Sequence, residues 1–228
     1  MNIQLGNRTQ RGVIGIEAAI VMIAFVIVAA ALSFVVLNMG LSTTQQAKET
    51  VSVGLGEASS ALHVSGSVIS AADVPRSKVN ATAFPIKVVS GGSAVNLNAT
   101  LAKVKFNTGT VQYDNILAKQ CVLTTTTYTN LQTALSAAVT SGCITASPIG
   151  SPGNAPTNTR AVIYWSVQKN TNEIIEPGEH AHMVLVFNNA DRPNVATPIE
   201  AELILSAGPS VDFVRTVPPL VDKYVDMG

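Results

Sequence analysis

Between Gly12 and Leu37 a single ionisable side chain, Glu17, interrupts an otherwise apolar run. A carboxylate at membrane depth costs about 2.5–3.5 kcal/mol on insertion scales, and such groups are functional candidates by default. Two chemistries fit Glu17: an ion pair with an amine from another copy, or simple placement at headgroup level, helped by the positive end of a helix. Further along, Asn80-Ala81-Thr82 and Asn98-Ala99-Thr100 are N-glycosylation sequons, so Asn80 and Asn98 are candidate glycan carriers. A third sequon, Asn7-Arg8-Thr9, falls on the side of the run read below as cytoplasmic and is set aside. Cys121 and Cys143 are permitted to bridge if the domain lies outside the cell. Their spacing and neighbours do not make a zinc site. His180 and His182 stand two apart, so on a strand they share a face where two imidazoles could hold a metal, with Glu176 and Glu179 nearby in sequence. The reading adopted is a solvated pair and no metal site. Glu200 and Glu202 also share a face and are read as exposed, without an acid/base role. There is no GxxxxGK[ST] phosphate loop and no GxSxG nucleophile elbow. The sequence therefore argues for a non-enzyme without a cofactor.

The elements that must carry these residues fall into two kinds. Arg11 to Leu37 would make ~35–40 Å of helix, enough to cross ~30 Å of hydrocarbon. It is longer than the ~7–15-residue core of a secretory signal. Arg8 and Arg11 precede it and no Lys or Arg follows until Lys48. That asymmetry places the N-terminus in the cytoplasm and the remainder outside. One helix is expected from about Ile14 to Leu62. Its first half is apolar all round. In its second half Leu41, Ala47, Val51, Leu55 and Ala58 form a stripe among polar residues. A linker is expected over His63–Pro75. Beyond it, Val/Ile/Thr-rich segments separated by Gly, Pro and Asn predict strands over 84–89, 94–106, 110–118, 121–128, 160–168, 180–188, 199–206 and 211–217. Residues 131–139 read as a short helix, and 147–159 as a loop. The fold class is thus α+β: a long N-terminal hydrophobic helix followed by an all-β sandwich, Ig-like domain over residues 75–228. Alternation predicts Val95, Leu97, Ala99 and Leu101 inward with Asn98 outward, and Ala181, Met183, Leu185 and Phe187 inward. Trp165, the sole tryptophan, is read as core.

The 228-residue chain has a formal net charge of zero and only 12% charged residues. It carries no electrostatic footprint for nucleic acid, and it is too apolar for a disordered chain.

The leader and the helix start resemble the type IV pilin superfamily: Gln10-Arg11-Gly12, then Val13-Ile14-Gly15-Ile16-Glu17. The continuation through Asn38-Met39-Gly40, Gln45, Lys48, Thr50, Ser59-Ser60, Leu62 and Val64-Ser65-Gly66 is more specifically similar to archaellins, the archaeal flagellins. The resemblance covers about residues 8–70. It implies that residues 1–12 are a leader removed by a prepilin-type leader peptidase between Gly12 and Val13, and that residues 13–65 form the assembly helix. Glu17 then becomes the fifth mature residue and Val13 carries a new ammonium group. Those two groups pair poorly within one helix start but can pair between staggered copies. The implied protein is a self-polymerising filament subunit at the cell surface, inserted in the membrane as a precursor and built by an assembly platform with its ATPase. It would serve swimming motility, with N-glycans. An adhesive archaeal pilin is the alternative within the superfamily, and a membrane-anchored extracellular binding domain is the alternative outside it.

Overall fold

The computed structural model describes residues 9–59, 62–149 and 154–228. The chain divides into two compact units, residues 1–54 and 55–228. In chain order its elements are α1 (Thr9–Ser59), β1 (Leu62–Val64), β2 (Ile69–Asp73), β3 (Lys78–Val88), β4 (Val95–Asn96), β5 (Lys103–Asn107), β6 (Gln112–Tyr113), β7 (Leu117–Leu123), α2 (Leu131–Thr140), β8 (Arg160–Val167), β9 (Ile174–Ile175), β10 (His180–Val186), β11 (Pro198–Ile204), β12 (Val211–Thr216) and β13 (Tyr224–Asp226).

In α1, no side chain from Gly15 to Leu55 is buried. The first half of the helix is apolar on every side, so its stability cannot come from one face laid on a core. The hydroxyls that sequence reasoning would count as polar interruptions are satisfied within it. Ser33, Thr43 and Thr44 each donate to the carbonyl four residues earlier at 2.8 Å, and Thr50 does so at 2.9 Å. Such back-bonding lets a hydroxyl enter an apolar environment without an orphaned donor.

The β domain is a sandwich. One sheet has seven strands in the order β13-β2-β3-β10-β8-β7, with β1 also on β3. The facing sheet has four, β12-β11-β5-β6, and β4 pairs with β9 apart from both. Phe84 on β3 meets Phe213 on β12 with ring centroids 4.8 Å apart, and Phe106 on β5 meets Phe187 at 5.3 Å. These tilted aromatic contacts join the two sheets, and each ring is nearly solvent-free. Trp165 is fully buried, as expected, although among the described residues its indole N–H has no acceptor. Ala181, Met183, Leu185 and Phe187 are buried as alternation required. Val184 and Val186, on the other face of β10, are buried as well.

Three expectations are corrected. The helix ends at Ser59 and Leu62 opens β1, pairing with Val88, so the stretch expected as a linker over 63–75 is instead largely β1, β2 and a 3-10 turn at Val74–Arg76. Small residues such as Ser70, Ala71 and Ala72 give weak strand signals, but their partners on β3 hold them extended. Secondly, 94–106 is not one strand. The Asn98 side-chain oxygen accepts from Thr100 N at 2.8 Å, and its carbonyl accepts from Leu101 N and Ala102 N at 2.9 and 2.8 Å. This turn shifts the pattern by one, so Leu101 is 48% exposed and Ala102 is buried instead. Thirdly, 110–118 and 121–128 are not two strands: β6 covers only Gln112–Tyr113, and β7 runs from Leu117 to Leu123 across the expected break. β7 and β8 are parallel, and the required crossover contains α2. Asn130 caps α2 by accepting from Thr133 N at 2.8 Å. Ala134, Leu135 and Ala138 form its buried face.

Pro85 explains why β1 and β2 are separate. It lies inside β3, where a missing N–H interrupts a ladder. Its carbonyl accepts from Ser65 N at 2.9 Å, on the side where β1 and β2 run. On that side the neighbouring chain leaves the ladder after Val64 and rejoins it at Ile69. Gly66 passes so close that a Cβ there would lie 3.4 Å from Pro85 Cγ.

Candidate functional site

The residues with functional meaning lie in two places, each described by itself. In α1, the Gly12–Val13 peptide bond is within helical backbone, and the first eight residues of the expected leader lie outside the described residues. Glu17 is exposed, and among the described residues it has no partner in its own chain. The helix from Gly15 to Leu55 contains an 18-residue window with a mean hydropathy of 3.1 and is long and apolar enough to cross a membrane. Large side chains including Met22, Phe25, Val36 and Leu37 are two-thirds or more exposed. An apolar rod with this much uncovered surface requires lipid or other rods around it.

In the β domain, Cys121 on β7 and Cys143, just past α2, are disulfide-bonded, with Cα atoms 4.9 Å apart. The bond ties the end of the crossover helix to the edge strand it left. The two sequons receive different settings. Asn80 is buried, and its amide nitrogen donates to Pro148 O at 3.1 Å, so the atom a glycan needs is inside the folded domain. This counts against Asn80 as a carrier, because a linked sugar has no path out without breaking that contact. Asn98 is half-buried in its turn and donates its amide to the Glu173 carboxylate at the surface. It does not point outward from a strand as alternation suggested, but the following Thr100 is exposed.

The histidine pair does not gather carboxylates. Glu179 is fully buried and accepts from Lys169 N at 2.7 Å and Glu176 N at 2.9 Å, shaping its own loop. Glu176 accepts from Asn170. Among the described residues no three His, Cys, Asp or Glu side chains form a metal-holding group. His182 instead stacks on Tyr164, with centroids 5.0 Å apart and planes within 12°. Burial, then the neighbouring His180, holds the His182 imidazole below its ordinary pKa, and burial pushes the Tyr164 phenol up to about 12. Glu200 and Glu202 make cross-strand partners on β5: Asn107 at 2.9 Å and Lys105 at 3.5 Å. Both read as sheet-surface pairs.

Sequence reasoning missed the buried ion pair between Asp73 and Arg192, at 3.2 Å. Arg192 Nη2 also reaches Asn154 O at 3.4 Å. The pair lies 119 residues apart in sequence, so no local pattern could signal it.

A model of the archaeal-type flagellin family matches residues 12–215. The chain belongs to that family. The match begins at Gly12, the residue before the expected cut, and takes in the helix and most of the β domain. Membership bears out the archaellin resemblance read from the leader and the helix start. Probable flagellin 1 of Aeropyrum pernix is 54% identical over 108 residues, covering 47% of this chain and 52% of that protein. Flagellin FlaB2 of Saccharolobus shibatae is 40% identical over 110 residues, 47% of this chain and 36% of that one. The matched region thus spans about half or less of these relatives. Among solved structures, the archaeal flagellum of Methanospirillum hungatei aligns with a TM-score of 0.54 at 23% identity, over 90% of this chain and 93% of that chain. The flagellin FlaB1 crystal structure from Methanocaldococcus jannaschii aligns with a TM-score of 0.57 at 14% identity, over 73% and 95%. At such identities these two likenesses speak to the shared fold alone.

Proposed function

We propose that this archaeal-type flagellin is the structural subunit of an archaellum filament, polymerising through α1 and serving swimming motility. The observation that carries the reading is the uncovered rod from Gly15 to Leu55, apolar all round in its first half, joined to a separately cored β domain. The precursor holds the rod in the membrane with its leader in the cytoplasm. A prepilin-type peptidase removes residues 1–12, and an assembly platform with its ATPase moves the rod from lipid into a bundle of its own kind. In that step lipid contacts are exchanged for helix contacts, so the gain comes from close packing and polar pairing. Glu17 then neutralises the ammonium of Val13 on a neighbouring copy. The β domains face outward, mixed with those of paralogous subunits where these exist. Nothing in the architecture requires catalysis by this chain.

The test is made on appendages sheared from cells. The mature subunit should begin at Val13, and Glu17→Ala should leave membrane insertion intact while filaments are lost. A subunit starting at Met1, or normal filaments from the variant, would overturn the processing and pairing steps respectively. Loss of surface attachment with swimming retained, in cells lacking this chain, would turn the reading to an adhesive pilin.

A further inference from the structure

The outer face of the seven-stranded sheet is only partly covered by α2. Beside the first turn of that helix lies a groove of about 750 Å³, a volume in the range of small-ligand sites. Its floor is Tyr164 and His182, and its walls include Tyr128, Asn130, Gln132 and, from β13, Tyr224. No Asp, Glu, Lys or Arg lines it.

Three features give the groove a chemical preference. The first is an unanswered hydroxyl. Tyr164 is only 4% exposed, yet among the described residues its phenolic O–H, which faces the groove, has no hydrogen-bond partner. Its oxygen is not sealed in the interior but open to the groove, where water or a ligand hydroxyl can answer it. Next are the aromatic surfaces. Tyr128 stands edge-on to Tyr164 at 6.0 Å and 87°, and Tyr224 is 43% exposed, so rings border the opening. The third is a fringe of uncharged donors and acceptors. The Asn130 oxygen is used by Thr133 N, while its amide nitrogen and the Gln132 side chain are unclaimed within the described residues. His182, held neutral by its surroundings, adds one donor and one acceptor without a charge.

From the groove's geometry we infer that it is a binding site for a neutral saccharide of one or two rings. Aromatic side chains cover the apolar C–H faces of such a ring, while Tyr164, Asn130, Gln132 and His182 serve its hydroxyls. No charged side chain lines the groove itself; the Lys223 ammonium lies at its border, 5.5 Å from the centroid of the Tyr224 ring, so glucuronate is the comparator that decides between a neutral and an anionic sugar. The inference does not depend on polymerisation, since every lining residue lies within one β domain. The sugar has two sources of the same chemistry: a glycan on a neighbouring subunit, or saccharide on a surface the cell meets.

The test uses the full chain solubilised in lauryldimethylamine oxide, a detergent without a sugar headgroup. Mannobiose, cellobiose and N,N′-diacetylchitobiose are the neutral probes and glucuronate is the anionic comparator, followed by saturation-transfer NMR and titration calorimetry. At least one neutral probe should bind. Tyr164→Phe, which keeps the ring and removes the hydroxyl, should weaken it roughly 5–10-fold, the effect of losing one hydrogen bond. Gln132→Ala, at an exposed helix position, should weaken it with no change in thermal midpoint. Higher uptake by glycan-stripped filaments than by untreated ones would assign the site to the subunits' own sugars, and equal uptake to external ones. Absence of binding by all neutral probes, preference for glucuronate, or unchanged affinity in Tyr164→Phe would overturn the inference and leave the filament reading untouched.

Discussion

Removing the Cys121–Cys143 bond tests how the crossover between β7 and β8 is held. The bond spans 22 residues of sequence. In the chain-entropy treatment a closed loop of that size restricts the unfolded state by about 3 kcal/mol. For a domain of roughly 150–170 residues, each kcal/mol moves the thermal midpoint by about 2–4 °C, so loss of the bond should lower it by roughly 6–12 °C. Two routes to the same loss separate its causes. Reductant applied to the unmodified chain breaks the cross-link and leaves both sulfurs in place. The Cys121→Ala/Cys143→Ala variant also removes sulfur from a fully buried and a nearly buried position, and should fall slightly further. Near-ultraviolet circular dichroism follows the sandwich aromatics Trp165 and Phe84 through the transition, with oxidised chain as reference. A midpoint drop under about 2 °C in reductant would refute the loop-closure reasoning. It would mean that the Asn130 cap and the buried face of α2 already hold the crossover closed in the unfolded ensemble.

Three further outcomes are expected. Asp73→Asn should destabilise the domain by about 3–5 kcal/mol in urea, because the Arg192 side chain, 1% exposed, loses its counter-charge; Asp73→Asn with Arg192→Met should recover part of the loss. Glycopeptide mass spectrometry of mature protein should find sugar at Asn98 and a bare Asn80, whose nitrogen is committed to Pro148 O; an occupied Asn80 would contradict that packing. The His182 imidazole has a lowered pKa in the folded chain, so the unfolded chain takes up its proton first as pH falls through about 6.5. Stability should therefore be greatest above that value and decline below it. His182→Phe, which keeps the stack on Tyr164, should flatten the decline in urea midpoints measured between pH about 7.5 and about 5.

Much of this architecture was legible because its signals are local. The strands β8, β10, β11 and β12 lie within two residues of their expected ends, since β-branched and apolar residues there are bounded by Gly, Pro or Asn. The helix α2, Leu131–Thr140, lies within one residue of the short helix expected over 131–139; the Asn130 cap is a signal that this expectation did not use. What escaped was decided at a distance or by one side chain. The Asn98 carboxamide turns a segment whose alternation looked unbroken. β2 is strand because β3 and β13 flank it, not because Ser70-Ala71-Ala72 prefers extension. The groove was invisible because Tyr128, Tyr164, His182 and Tyr224 come from four separate segments, and alternation only distinguishes the faces of a strand. In the helix, the pattern located Glu17 at once, but a single chain gives its carboxylate nothing to bind.

The last strand has a consequence for biogenesis. β13 borders β2, and Met227 beside it receives the Ser70 hydroxyl. Until Tyr224–Asp226 have emerged, the backbone of β2 is a raw margin, and its N–H and C=O groups are open to any extended stranger. The domain therefore passes through an interval of stickiness that closes only when β13 has been made and paired. Cells making many copies side by side would gain from keeping newborn chains apart for that interval.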